Sequence, residues 1–113
     1  MDSFIPLKPA AFHILLALTS GDSYGYAMMQ SVREQSAGRV PLQTGSFYRH
    51  LGKLIDGGLI TEAPGPASAD SRRGTYYRLT AKGKRVLKAE QERLADLLAV
   101  AASIRTGSRK ADV

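Results

Sequence analysis

The stretch TGSFYRHLGKLIDGGLITEA, Thr44 to Ala63, changes its hydrophobic period across a pair of glycines. Before them Phe47, Leu51, Leu54 and Ile55 fall at i, i+4, i+7 and i+8, the spacing of one helix face. After them LITEA is short and β-prone. A helix that runs straight into a strand limits the chain to mixed folds, in which helices and a small sheet share one core.

Two helices precede this one. LKPAAFHILLALTSG sets Pro9 in a first turn and spaces Phe12, Leu15, Leu16 and Leu18 helically until Gly21. Ser23, or Asp22 before it, is the expected N-cap of a second helix, YGYAMMQSVREQSA, which stops at Gly38. Thr44 is the expected cap of the third. LITEA should then pair with GTYYRLT as an antiparallel hairpin, joined by the turn-forming PGPASADSRR. Thr80 caps a long last helix, Ala81 to about Thr106, and GSRKADV is expected to fray.

Three helices followed by a hairpin is the plan of a winged helix-turn-helix domain, mainly α with a small β component (α+β). Residues 1–80 would form that DNA-binding domain, 81–106 a dimerisation helix and 107–113 a disordered tail. A chain of 113 residues has room for one domain and no second.

The charge supports a polyanionic partner once it is located. Between Asp70 and Glu90 there is no acid, and Arg72, Arg73, Arg78, Lys82, Lys84, Arg85 and Lys88 supply seven of the sixteen cations. The remaining nine cations face ten acids, so the whole net charge of +6 comes from this segment. The third helix presents Ser46, Arg49, His50 and Lys53 opposite its apolar stripe. Arg49 suits a guanine edge or a phosphate, and Thr44 and Ser46 lie at the N-terminal turn that reaches base edges in recognition helices. Arg72 and Arg73 would place the wing on the backbone. At the start of the second helix, Ser23, Tyr24 and Tyr26 offer donors to a phosphate.

GDSYG, Gly21 to Gly25, matches the Gly-x-Ser-x-Gly of hydrolase nucleophile elbows. That motif needs a large α/β sheet, followed in the chain by an acid and then a histidine. Here the chain is too short, and the one downstream histidine, His50, lies on the expected DNA face. His13 and His50 are not at metal-ligand spacing and there is no cysteine. No enzyme, cofactor or metal is expected. The apolar run AAFHILLAL is too short to span a membrane, the opening residues lack the basic region and cleavage site of a signal peptide, and a cytoplasmic protein is the expectation.

SYGYAMMQSV, GSFYRHLGKLIDGGLI and RRGTYYRLTAKGKRVL resemble the successive signatures of PadR-type transcriptional regulators, bacterial winged-helix repressors. The resemblance runs from about Leu15 to Leu87. It implies a homodimer on a pseudo-palindromic operator, contact of Tyr48 with the DNA backbone, and a small-molecule effector between the terminal helices. The chain departs from the family pattern at Arg49, where relatives commonly carry proline, and at Tyr24, where they carry histidine. It also lacks the tryptophan on which some relatives stack aromatic ligands, so no effector class is identifiable. Phe4 and Phe12 are better read as packing.

The last helix carries the dimer expectation. Leu87, Leu94, Leu97, Leu98, Ala101 and Ile104 form one apolar stripe that outruns a domain of this size. Two-fold pairing would set two recognition helices about 34 Å apart, one DNA turn. Glu90 in the stripe and Arg105 near its end are candidate register devices or cross-interface partners. The competing function is a winged-helix module that docks on protein or RNA.

Overall fold

The computed structural model describes residues 4–67 and 74–112, with side chains through residue 104. Its elements run α1 (Pro9–Ala17), β1 (Ser23–Tyr24), α2 (Gly25–Gln35), α3 (Thr44–Asp56), β2 (Ile60–Ala63), β3 (Tyr76–Leu79) and α4 (Ala81–Asp112). Phe47, Leu51 and Leu54 turn inward from α3, as their spacing requires, and meet Ile14 and Leu15 of α1 and Met28 and Val32 of α2. Burying each such side chain contributes about 1.5–3 kcal/mol, which makes this three-helix junction the main source of stability.

A three-stranded antiparallel sheet in the order β1-β3-β2 closes one side of the junction. β2 and β3 pair with Ile60 opposite Leu79 and Ala63 opposite Tyr76. Ile60, Tyr77 and Leu79 bury their side chains against the helices. The third strand was not expected. β1 is two residues long, too short to show a period, and it forms because β3 offers a free edge on which Ser23 pairs with Tyr77.

That pairing corrects the expected cap of α2. Ser23 is in extended backbone within β1, Asp22 is bound to Arg78, and α2 begins at Gly25 after Tyr24, with no side-chain cap. Thr44 is likewise the first helical residue of α3 and not its cap, since the extended residue before the turn is Gln43. Ser46 closes this end, its hydroxyl accepting the Gln43 N–H at 3.2 Å and donating to the Gln43 carbonyl at 3.0 Å.

Thr80 does cap α4. Its hydroxyl accepts the Gly83 N–H at 2.9 Å and donates to the Gly58 carbonyl at 2.6 Å, while its own N–H reaches the Leu59 carbonyl at 3.1 Å. The first turn of α4 is thus fastened to the corner where α3 passes into β2. The helix continues to Asp112, beyond the expected end at Thr106. Gly107 alone does not stop it, because one glycine costs a helix about 1 kcal/mol and no proline follows.

Glu90 marks the point where α4 leaves the domain. Its side chain is buried at 1% exposure, accepts the Leu7 N–H at 2.6 Å and pairs with Arg93 on the next turn. Both partners therefore belong to the same protomer, and Glu90 ties the segment before α1 to α4. The Arg93 guanidinium, chiefly, and the Leu7 N–H hold its carboxyl below the ordinary 4.5 against the opposing effect of burial. A lowered folded pKa stabilises the fold above the unfolded value, and this contribution is lost as pH falls through the folded one. Glu90→Leu, which strands both donors, is expected to cost about 1–3 kcal/mol at neutral pH. The deficit relative to wild type should shrink in thermal melts taken progressively below pH 4.5. A deficit independent of pH would assign the loss to packing.

Candidate nucleic-acid interface

α3 carries its apolar stripe into the core, so the opposite face is fixed outward. Arg49 and Lys53 are exposed there, Ser46 and His50 are half-buried, and Thr44 stands exposed at the N-terminal end. Neither Arg49 nor Lys53 has a carboxylate partner among the described residues. The His50 imidazole is held below its ordinary 6.5, first by burial and then by the charges of Lys8, Lys53 and Arg49. This face therefore carries a positive field that disfavours a proton on the His50 ring. The Ser46 hydroxyl is partly committed to Gln43, which weakens its expected part in base reading and leaves Arg49 the more available group.

The start of α2 abuts the same face. The Tyr48 ring, exposed on one side and edge-on to Phe47 at 5.0 Å between centroids, lays its hydroxyl over Gly25. A Cβ at Gly25 would overlap that hydroxyl, so glycine here leaves room for the Tyr48 ring to lie against the start of α2. Tyr26 is 67% exposed and its hydroxyl accepts the Gln30 amide at 2.8 Å. Tyr24 and Ser23 are half-buried in β1, and the Tyr24 ring leans on Tyr76 at 5.4 Å. Tyr26, Tyr48, Arg49 and Lys53 are thus the outward members of the expected set, and Ser23 and Tyr24 are partly engaged by the sheet.

Of the wing, Arg72 and Arg73 lie outside the described residues. Arg78 on β3 grips Asp22 with both arms, Nε to Oδ1 at 3.0 Å and a terminal nitrogen to Oδ2 at 2.6 Å. That ion pair neutralises one of the cations that sequence assigned to the basic segment. Sequence also gave no signal for Lys8. It comes beside His50 and Lys53 only because the chain before α1 folds across α3.

On α4 the expected dimer stripe divides at Glu90. Leu87 is buried in its own domain, at 4% exposure, because the first turns of α4 lie against α1 and β3; it is not part of an outward surface. Leu94 at 36% and Leu98 at 70%, with Leu97, Val100, Ala101 and Ile104, stand outside the protomer. Glu90, paired within the protomer, leaves that stripe too. Arg105 lies beyond the described side chains. Phe4 packs on Gly57 with the Lys82 ammonium 4.8 Å from its ring, and Phe12 packs against the core, so both serve as packing. Among the described residues no helix is long and apolar enough to cross a membrane, and no cluster of His, Asp or Glu could hold a metal ion.

Residues 14–89 match the model of the Transcriptional regulator PadR-like family. A comparison with curated proteins finds no match. Among solved structures, a PadR family transcription regulator from Clostridium difficile aligns with a TM-score of 0.74 at 25% identity, over 86% of this chain and 98% of that one. A transcriptional regulator from Clostridium thermocellum aligns at 0.68 and 26% identity, over 83% of this chain and 87% of that one. PadR from Bacillus subtilis, solved in complex with operator DNA, aligns at 0.60 and 26% identity, over 73% of this chain and 46% of that longer one.

Proposed function

The chain belongs to the PadR-like family of transcriptional regulators, and on that premise we propose that it is a cytoplasmic repressor that binds a pseudo-palindromic operator as a homodimer. α3 enters the major groove, the wing across residues 61–79 lies on the backbone, and the start of α2 meets a phosphate with Tyr26 and Tyr48 beside it. The observation that carries this reading is the outward face of α3, where Arg49 and Lys53 stand exposed and neither is ion-paired with an acid among the described residues. It is supported by the solved complex of Bacillus subtilis PadR with operator DNA. The exposed half of α4 supports the homodimer, since a row of large apolar side chains in water calls for a cover. A small-molecule effector remains open in class.

Selection of bound sequences from random duplex would yield the operator. On it, affinity should fall steeply with salt and exceed that for random duplex by several kcal/mol, on the order of 4 or more. Flat salt dependence would favour a module docking on protein. Arg49→Ala is expected to reduce discrimination among operator variants by roughly 1–3 kcal/mol while leaving the fold intact. It is a cleaner probe than Ser46→Ala, which also opens the start of α3. Unchanged base preference in the Arg49 variant would remove that side chain from readout.

A further inference from the structure

The segment before α1 crosses from α4 to α3. Glu90 holds it at the Leu7 N–H, and Phe4 seats on Gly57, where a Cβ would come within 2.8 Å of the ring. Between this strap and α3 lies an open pocket with apolar walls that include Phe4, Leu7 and Leu54. Three basic side chains, Lys8, His50 and Lys53, complete it, and among the described residues no carboxylate lines it. Among the described residues the acid that meets the strap, Glu90, faces its other side and is already paired with Arg93.

Resting on the DNA reading above, we propose that this pocket seats a phosphate of the DNA backbone, with Lys8 as its anchor, so that the strap forms a third DNA contact beside α3 and the wing. Two observations converge on an anion. Lys8 and Lys53 both act on a half-buried ring in the same pocket, and neither is ion-paired with a carboxylate among the described residues. Low-polarity walls also strengthen attraction for whatever charge enters. His50 answers to the same field. Lys8, Lys53 and Arg49 face it from the strap and from α3, and α1 contributes only Ala11 to the lining. A seated phosphate reverses the sign of that field, raises the imidazole's proton affinity and draws a proton in as DNA binds. Glu90 is a positioning residue here, since its hold on Leu7 fixes where the next residue, Lys8, can reach.

The test uses the full-length chain and a random-sequence duplex of about two turns, because a phosphate contact is sequence-independent. Lys8→Ala should melt like wild type and flatten the slope of log affinity against log salt by about one unit. Arg33→Ala, which removes the same charge from the last turn of α2 outside the pocket, should leave that slope unchanged. Wild-type affinity should rise as pH falls from 8 toward about 6, with the rise lost in His50→Gln. An unchanged slope in Lys8→Ala, or equal flattening by Arg33→Ala, overturns the phosphate seat while leaving the DNA reading standing. A wild-type chain that binds no duplex overturns the DNA reading and the seat with it.

Discussion

Replacing Leu94 and Leu98 together by aspartate is expected to convert the proposed homodimer into a folded monomer and to weaken operator binding by about two to four orders of magnitude. Both side chains lie beyond Glu90, where α4 has left its own domain, and Leu98 is 70% exposed. The protomer core, centred on Phe47, Ile14 and Met28, does not include them, so the domain itself should keep its melting temperature. The dimer should not survive, because two carboxylates per chain would have to be desolvated in an apolar seam against their symmetry mates. The loss in affinity follows from multivalency. Two half-sites joined by one interface bind with an avidity that exceeds either alone by about 10²–10⁴, and a monomer forfeits it. Sedimentation equilibrium and titration of the selected operator provide both readouts. A double variant that still sediments as a dimer would place the interface elsewhere, and Leu87→Asp would not serve as the probe, since that residue belongs to the core.

Gly83→Ala is expected to be the most damaging single methyl in the chain. A Cβ at this position would overlap the Leu59 carbonyl oxygen, and would stand 3.0 Å from its carbon and 3.2 Å from the Leu79 side chain. The obstacle is backbone that cannot turn aside, and the same carbonyl accepts the Thr80 N–H. Relief requires α4 to lift from the α3–β2 corner, which also strains the Thr80 cap. Overpacking of this kind costs about 1–3 kcal/mol, or roughly 5–20 °C in melting temperature for a domain of this size. Gly52→Ala in α3 supplies the contrast, since its Cβ meets nothing within 4 Å and should stabilise by about 0.4–1 kcal/mol. If both variants melt alike, helix propensity and not the close approach governs Gly83.

Much of the fold is legible in local pattern because its causes are local. The stripe of Phe47, Leu51 and Leu54 gives the length, inner face and outer face of α3, and Thr80 opens α4 where the hydroxyl pattern places it. The site is legible to the same extent, since Arg49 and Lys53 project outward for the reason that Phe47 projects inward. What failed was decided mostly at long range, the Thr44 cap, displaced to the adjacent Gln43, being the local exception. Ser23 reads as a cap until β3, far along the chain, pairs with it, and Leu87 joins the Leu94 stripe by period alone until α1 and β3 cover it.

The order of the four helices and the hairpin, the inner and outer faces of α3 and the family signatures were settled by the sequence, because helix period and turn chemistry depend on residues within a few positions of one another. Only the tertiary structure could decide that α4 changes from core helix to free helix at Glu90, that Gly83 must lack a side chain, and that Lys8 stands beside His50. Each of these rests on two segments distant in the chain meeting at one point, which no periodicity along either segment records.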